Sequence, residues 1–176
     1  MTLAFRTHID GKPTYFMDKI WHSFPKEIFT DDNFGYDMKH FKIFGNMMWQ
    51  LTENRPKKHT IREDKKNRWK VGNNIHFVIN NRTKKRFQFA PVIPVTCIQQ
   101  INIDYKNSNN TYPIITISIE GTDVSILHLT PSDHFDYLTK LSELASNDGF
   151  DSWQDFLKYF DKDFQGKIIH WTDFKY

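Results

Sequence analysis

A compact run of polar residues between Lys57 and Asp64 has the residue types that acid–base chemistry needs. In an extended strand, Thr60 and Arg62 lie on one face and Ile61 points to the core from the other. A lysine at the rim of a partly buried pocket acquires a lowered pKa and accepts a proton, and a nearby carboxylate positions it or relays the proton. The alternative is a strand edge with solvated charges, and spacing alone favours that alternative.

The longer segment from Arg55 to Arg86 is basic, although the net charge of the chain is only +3. It contains half of the chain's 24 lysines and arginines, whereas residues 132–163 are acidic. Aromatic rings lie among the cations, and nucleic-acid binding needs cations for phosphates and rings for bases. A solvated surface is the structural alternative. The predicted nucleic-acid contacts are Arg55, Lys58, His59, Arg62, Lys65, Lys66, Arg68, Trp69 and Lys70.

Hydrophobic periodicity predicts one α+β domain in which strands dominate the middle of the chain. Helices are predicted at 15–24, 132–145 and 152–160, and Thr14 and Ser152 are typical capping residues. Short helices are expected within residues 26–53. Strands are predicted at 3–9, 58–62, 75–79, 86–89, 96–105, 114–119, 124–129 and 167–171. A strand meander followed by two helices and a returning strand indicates a small barrel-like domain.

Several classes of site are not supported by the sequence. Cys97 is the only cysteine, so no internal disulfide can form, and its apolar surroundings are typical of a buried hydrophobic residue. The eight histidines do not pair with a carboxylate at metal-ligand spacing, and the glycine motifs of dinucleotide and P-loop sites are missing. We therefore predict neither a metal nor a cofactor. Without a signal sequence or a membrane-length apolar run, the chain is expected to be soluble and cytoplasmic.

Four segments occur in the order of the motifs of a known family. They are Lys57–Asp64 with its Thr-Ile-Arg, Lys70–Ile75 entering a strand, Ala145–Phe156 with its Asn-Asp-Gly-Phe, and Gly166–Trp171. Through them, residues 55–171 resemble the ASCH family of the PUA-like superfamily.

This resemblance implies a fold and a set of catalytic residues. The fold is a PUA-like β-barrel of mostly antiparallel strands with flanking helices, formed by residues 1–176 as one domain with an extra helical insertion at about 10–53. Bacterial ASCH members include amidohydrolases that deacetylate acetylcytidine with a lysine, a threonine and a glutamate. These residues correspond to Lys57, Thr60 and Asp148, and the last of them is one methylene shorter than the family's acid.

The resemblance and the charge pattern leave three functions open. The first is binding of RNA, single-stranded nucleic acid or a modified nucleoside by the basic segment, with Trp69 or His59 stacking on a base. The second is hydrolysis of an acylated pyrimidine nucleoside. The third is a protein-interaction domain that uses the aromatic-rich segment 26–53.

For the hydrolase, the resemblance assigns a role to each residue. Thr60 is the nucleophile and Lys57 is its base. Asp148 positions both groups, and Arg62 holds the pocket or an oxyanion. This hypothesis requires that Lys57, Thr60 and Asp148 converge in one pocket, because catalytic groups act within hydrogen-bond reach or through one water.

Overall fold

Strands supply much of the regular structure of this chain, and helices flank them. The computed structural model describes residues 1–28, 32–49, 55–106, 114–128 and 135–176. The described strands are β1 (Thr2–Phe5), β2 (His8–Ile9), β3 (Lys12–Pro13), β4 (His59–Arg62), β5 (Asn74–Ile79), β6 (Phe87–Gln88), β7 (Ile93–Pro94), β8 (Cys97–Lys106), β9 (Ile114–Ile119), β10 (Thr122–His128) and β11 (Phe164–His170). The described helices are α1 (Phe16–Trp21), α2 (Asp32–Phe44), α3 (Phe135–Asn147) and α4 (Trp153–Tyr159), with a 3-10 turn at Lys26–Ile28.

The largest sheet has five antiparallel strands in the order β10-β9-β8-β11-β4. Several of its strands are rich in isoleucine, whose branched side chain suits a pleated, half-buried surface. The last strand, β11, lies between β8 and β4, so that Ile168 is opposite Ile61 and Ile169 is opposite Thr60. The Thr-Ile-Arg segment is therefore the outermost strand in this order.

A smaller sheet forms around β5 and contains a parallel pair that the predicted meander lacks. β1 runs parallel to β5, with Phe5 opposite Ile79, whereas β6 and β7 pair with β5 antiparallel. The chain is thus α+β with mostly antiparallel strands, as expected. The described strand pairings form separate open sheets, however, and do not close into a barrel.

Strand β11 contributes to two hydrophobic cores, because successive side chains of a strand point to opposite faces. Ile169 belongs to a core with Phe5 of β1 and Trp21 of α1. Ile168 belongs instead to a core that contains Ile61 and apolar residues of α3 and α4. The segment that enters β4 therefore lies where the two cores meet.

The predicted helix caps have different outcomes. Ser152 accepts a hydrogen bond from the Asp155 amide at 3.1 Å, which confirms it as the cap of α4. Thr14 lies one residue before the N-cap position of α1; its hydroxyl donates to the Arg6 carbonyl at 2.7 Å and accepts a long hydrogen bond from the Phe16 amide at 3.4 Å. Tyr15 is the N-cap residue instead, without a side-chain hydrogen bond, and α1 ends about one turn before the predicted boundary.

The segment 26–53 contains α2, in agreement with the helical expectation for this region. Phe34 and Phe41 of α2 are exposed, so part of the aromatic content of this segment does not enter the core. Residues 29–31 and 50–54 lie outside the described residues. So does Ser132, the predicted start of α3, and Phe135–Asn147 is the described extent of that helix.

Candidate active site

Lys57 and Asp148 form an ion pair inside the protein. The Lys57 Nζ donates to Asp148 Oδ1 at 2.8 Å and also to the Asp148 carbonyl. The two side chains are 2% and 6% exposed, so water screens their attraction little. Burial of charges is tolerated only when hydrogen bonds satisfy them, and here the ammonium has two acceptors. The solvated strand edge that spacing alone favoured is therefore wrong for Lys57.

Neighbouring elements hold the ion pair in place from two sides. The Lys57 amide donates to the Lys19 carbonyl of α1 at 2.8 Å. Asp148 directly follows α3, and its Oδ1 also accepts a hydrogen bond from the Ile61 amide of β4 at 3.1 Å. One carboxylate thus joins the end of α3 to both the lysine and the strand that contains Thr60.

Gly149 leaves room for the lysine immediately after the carboxylate. Its φ of +86° lies in the left-handed region, which glycine adopts without steric cost. A Cβ at this position would lie 2.9 Å from Cδ of Lys57 and 2.9 Å from Cε1 of Phe16. Both the backbone conformation and the close approach of the Lys57 stem therefore require glycine here.

Burial changes the proton affinities of the pair. Desolvation lowers the pKa of Lys57 to about 8, and the Asp148 charge offsets only part of that effect. Burial by itself raises the pKa of Asp148, but the Lys57 ammonium and His59 outweigh it, and the net pKa lies below its usual value. Near neutral pH the carboxylate stays ionised, while a minor fraction of Lys57 is neutral and able to accept a proton.

Thr60 lines the same small cavity as the ion pair. A cavity of about 20 Å³ is lined by Lys57, Thr60 and Asp148, with Arg62 beside them. The three residues that the family resemblance implies as catalytic therefore converge, in a space that holds about one water molecule. The Arg62 guanidinium donates to the Ala4 carbonyl at 2.9 Å, which keeps it at the cavity wall.

A larger groove, with a volume of about 520 Å³, lies next to this cavity. The residues that line both spaces are Arg6, Ile9, Phe16, Phe150 and Tyr159. The rings of Phe150 and Tyr159 lie 5.5 Å apart and give the groove an aromatic wall. A planar ligand in the groove can therefore present a small substituent to Lys57 and Thr60.

The charges along the groove nearly cancel. Its cations are Arg6, Lys12, Lys19, Lys158 and Lys162, and its acids are Asp10, Asp151, Asp155 and Asp161. Lys158 pairs with Asp10 at 2.6 Å, and the buried Lys19 pairs with Asp151 at 2.7 Å. Such a lining suits an uncharged polar ligand better than a polyanion, because a phosphate would meet carboxylates as well as cations.

Two buried imidazoles, His59 and His170, lie next to each other, and the first is close to Asp148. The His59 Nε2 is 2.8 Å from the Tyr176 hydroxyl, and its Nδ1 is 3.7 Å from Asp148 Oδ1, beyond hydrogen-bond distance. The His170 ring lies 5.1 Å from that of His59, and neither of its nitrogens has a hydrogen-bond partner among the described residues. Burial lowers the pKa of both, that of His170 to about 3, so both are neutral at neutral pH.

The predicted nucleic-acid contacts divide into buried and exposed residues. His59 and Trp69 are 0% and 6% exposed, which corrects the expectation that either ring stacks on a base. Lys58 and Arg62 are half-buried, and the Lys58 ammonium lies 4.6 Å from the centre of the Phe174 ring. The exposed members of the predicted set are Arg55, Lys65, Lys66, Arg68 and Lys70.

Four of these exposed cations belong to a loop at residues 64–70 that has a buried anchor. Asp64 accepts hydrogen bonds from the amides of Arg68 and Trp69 at 3.0 and 2.9 Å. The same carboxylate pairs with the buried Lys167 at 3.0 Å, and Lys167 also donates to the Trp69 carbonyl at 3.1 Å. These contacts fix the loop backbone while the cationic side chains remain in solvent.

Three residues within the first 20 positions line or contact the site and were not predicted from the sequence. Arg6 and Phe16 line the cavity and the groove, and Lys19 donates to the Gly149 carbonyl at 2.8 Å. The sequence held no signal for them, because they gain a role only when α1 packs against the turn that follows α3.

Comparisons with protein-family models, with curated proteins and with solved structures found no match to this chain. Within the described ranges, no three His, Cys, Asp or Glu side chains are placed to hold a metal ion. None of the described helices is long and apolar enough to cross a membrane. The geometry around Lys57 and Asp148 is therefore the basis for a functional proposal.

Proposed function

We propose that this chain is a cytoplasmic ASCH-type domain of the PUA-like superfamily, and that it hydrolyses an amide on a modified pyrimidine nucleoside. The observation that carries this proposal is the buried Lys57–Asp148 pair, with Thr60 lining the same cavity. A buried lysine with a pKa of about 8 is the kind of base that activates a hydroxyl nucleophile.

In the first half of the reaction, neutral Lys57 accepts the hydroxyl proton of Thr60 as the threonine oxygen attacks the amide carbonyl carbon. Negative charge develops on the former carbonyl oxygen, and the Arg62 guanidinium at the cavity wall stabilises it. The C–N bond then breaks, and the Lys57 ammonium gives its proton to the leaving amine. The acyl group is left as an ester on Thr60.

In the second half, a water molecule attacks the ester and loses a proton to Lys57. The ester C–O bond breaks, the Thr60 oxygen regains a proton from Lys57, and a carboxylic acid is released. Asp148 remains ionised and orients the amine without taking the proton. Because its Oδ1 also holds the Ile61 amide, the same carboxylate keeps the amine aligned with the neighbouring Thr60.

The adjoining groove binds the rest of the substrate in this proposal. Its volume of about 520 Å³ is that of a small-molecule site, whereas the cavity of about 20 Å³ admits only a small group. Phe150 and Tyr159 offer aromatic surface to a pyrimidine, and the balanced charges suit an uncharged base and sugar.

Hydrolysis of acetylcytidine by the purified protein tests this proposal. We expect Lys57→Met and Thr60→Val to lower kcat/KM about a thousandfold, because each removes a group that acts in both steps. Thr60→Ser keeps a hydroxyl and should keep measurable turnover.

The matched control for the hydroxyl deletion is Thr96→Val. The Thr96 hydroxyl donates to the Thr172 carbonyl at 2.6 Å and lines neither the cavity nor the groove, so this change should leave the rate unchanged. Circular dichroism verifies that each variant is folded. Turnover that survives both Lys57→Met and Thr60→Val in folded protein rejects the mechanism.

A second candidate function, binding of RNA or single-stranded nucleic acid, is favoured by the loop at residues 64–70. Its exposed cations are Lys65, Lys66, Arg68 and Lys70. The Asp64–Lys167 pair fixes the loop backbone, so less conformational freedom is lost when the cations contact phosphates. Because His59 and Trp69 are buried, this surface would contact phosphates rather than bases, and its binding would depend little on sequence.

A further inference from the structure

A second cavity lies at the carboxyl ends of the parallel strands β1 and β5. Its volume is about 330 Å³. Arg6, Thr7 and His8, which follow β1, line it together with Asn80, which follows β5. Residues that follow parallel strands converge at one edge of a sheet, and open sheets bind ligands at such edges.

This cavity shares a wall with the groove proposed for the nucleoside. The residues that line both are Arg6, Pro13, Thr14 and Phe16. Arg6 also lines the small cavity that contains Lys57. A ligand with its base in the groove can therefore extend past Arg6 into the second cavity.

The second cavity differs from the groove in the charge of the segment beside it. The chain continues from Asn80 into the turn between β5 and β6, which has the exposed cations Arg82, Lys84, Lys85 and Arg86. Among the described residues, no carboxylate lies within ion-pair distance of these four. Within the part of the chain that the structure describes, the wall of this cavity has one arginine, Arg6, and one carboxylate, the buried Asp18. The cavity wall by itself is therefore close to neutral, as the groove is, and the excess of positive charge comes from the adjoining turn.

The backbone around this cavity is fixed in an uncommon conformation. Tyr15 and Asn80, which both line it, have φ angles of 52° and 50°. Non-glycine residues seldom adopt such angles, and they cluster at ligand-binding sites where the surrounding structure enforces them. The Thr83 amide and hydroxyl both donate to the Asn80 carbonyl, at 3.2 and 2.8 Å, so the basic turn is held against the cavity residue.

We propose that this cavity and the turn at residues 82–86 bind the phosphate of a nucleotide whose base and sugar lie in the adjoining groove. The inference rests on the proposed nucleoside site and extends it to a phosphorylated ligand. The cations of the turn contact the phosphate itself, and Arg6, at the shared wall, lies between the phosphate and the base. Charge-assisted hydrogen bonds from arginine are the strongest that a phosphate accepts from side chains. The phosphate belongs either to a mononucleotide or to a nucleic-acid strand.

Calorimetric titration with cytidine, cytidine 3′- and 5′-monophosphate and a four-nucleotide RNA tests this inference. We expect one monophosphate to bind about tenfold more tightly than cytidine, as one added charged hydrogen bond predicts. The variant with Arg82, Lys84, Lys85 and Arg86 all changed to Ala should lose that preference and still bind cytidine. If the RNA binds more tightly than the better monophosphate, the phosphate belongs to a strand; if it binds no more tightly, the ligand is a mononucleotide.

The matched control changes four exposed lysines that line neither the cavity nor the groove. It is the variant with Lys26, Lys42, Lys106 and Lys140 all changed to Ala, which has the same net charge as the turn variant. The control should keep the tenfold preference. Equal affinities for cytidine and both monophosphates, or a preference that survives in the turn variant, overturn this inference and leave the nucleoside site intact. If none of the four ligands binds, the nucleoside site and this inference both fail.

Discussion

The Lys57 Nζ lies 2.8 Å from Asp148 Oδ1, across 91 positions of the chain, and neither side chain has substantial contact with solvent. The pair closes the space between α1, β4 and the end of α3. Because each charge would be costly without the other, the two groups must enter the interior together when the chain folds. Their mutual orientation is thus set by folding and does not depend on a bound ligand.

We expect the hydrolytic rate to rise with pH through about 8. Lys57 has to be neutral to accept a proton, and burial lowers its pKa to about 8, so only about a tenth of it is neutral at pH 7. The kcat/KM of acetylcytidine hydrolysis should increase about tenfold per pH unit below that value and level off above it. A rate that is flat between about pH 6 and 9, with the protein folded throughout, would contradict the role of Lys57 as base.

We expect Gly149→Ala to lower both stability and turnover. The left-handed φ costs about 1–2 kcal/mol for alanine, and the new Cβ would overlap Lys57 Cδ and Phe16 Cε1, each 2.9 Å away. Overpacking of this kind adds about 1–3 kcal/mol. Urea unfolding measures the loss of stability. A lower rate of acetylcytidine hydrolysis would indicate that the Lys57 amine has been displaced.

Gly72→Ala is the matched control for this change. Gly72 has a similar φ of +83°, but a Cβ there would meet nothing within 4 Å. We expect Gly72→Ala to lose only the stability that a left-handed φ costs an alanine and to keep full turnover. If the two alanine variants are equally stable and equally active, the close approach at Gly149 has no energetic consequence.

Acid should destabilise the protein in part through His170. Burial lowers its pKa to about 3 in the folded state, whereas an unfolded histidine titrates near 6.5. As pH falls below about 6.5 the unfolded state binds the proton that the folded state excludes, so stability is lost with falling pH. Between about pH 7.5 and 5.5 this single group accounts for about 1.4 kcal/mol of the decrease.

His170→Leu isolates that contribution, because the imidazole nitrogens have no described hydrogen-bond partner to lose. Between about pH 7.5 and 5.5, the free energy of unfolding measured in urea should fall less for the variant than for the wild type, and the difference should be about 1.4 kcal/mol. Identical pH dependence in the two proteins would mean that His170 takes up its proton in the folded state.

If the loop at residues 64–70 binds nucleic acid, the affinity should fall as the salt concentration rises, because four cations contact phosphates. Each contact to a single strand contributes about 0.7 to the slope of log affinity against log salt, so changing Lys65, Lys66, Arg68 and Lys70 to Ala should reduce the slope by about 2.8. Fluorescence anisotropy with a labelled single-stranded RNA measures it. The variant with Lys26, Lys42, Lys106 and Lys140 changed to Ala is again the control, and an equal reduction there would indicate only a net-charge effect.

Features with a local cause could be predicted from the sequence. The cap at Ser152 follows from a hydroxyl placed before an apolar helix face, and β9 at Ile114–Ile119 follows from a run in which five of six residues are β-branched. The parallel pairing of β1 with β5 could not be predicted, because Thr2 meets His76 across more than 70 positions and no local pattern records that contact. Tyr15 was missed as the N-cap residue of α1 because the helix begins one residue later than the Thr14 hydroxyl indicated; that hydroxyl donates to the carbonyl of Arg6, which lies between β1 and β2.

By itself the sequence determined that β4 contains Thr60 beside Ile61 and that Asp148 precedes a glycine turn, because strand alternation and turn chemistry are local properties. Only the tertiary structure decided which groups of the basic segment are inside. The packing of α1 and the end of α3 against the start of β4 buries Lys57 and lowers its pKa, and the core around β5 takes up Trp69. Burial depends on elements that are distant in sequence, and burial is what makes this lysine a base and that tryptophan a core residue.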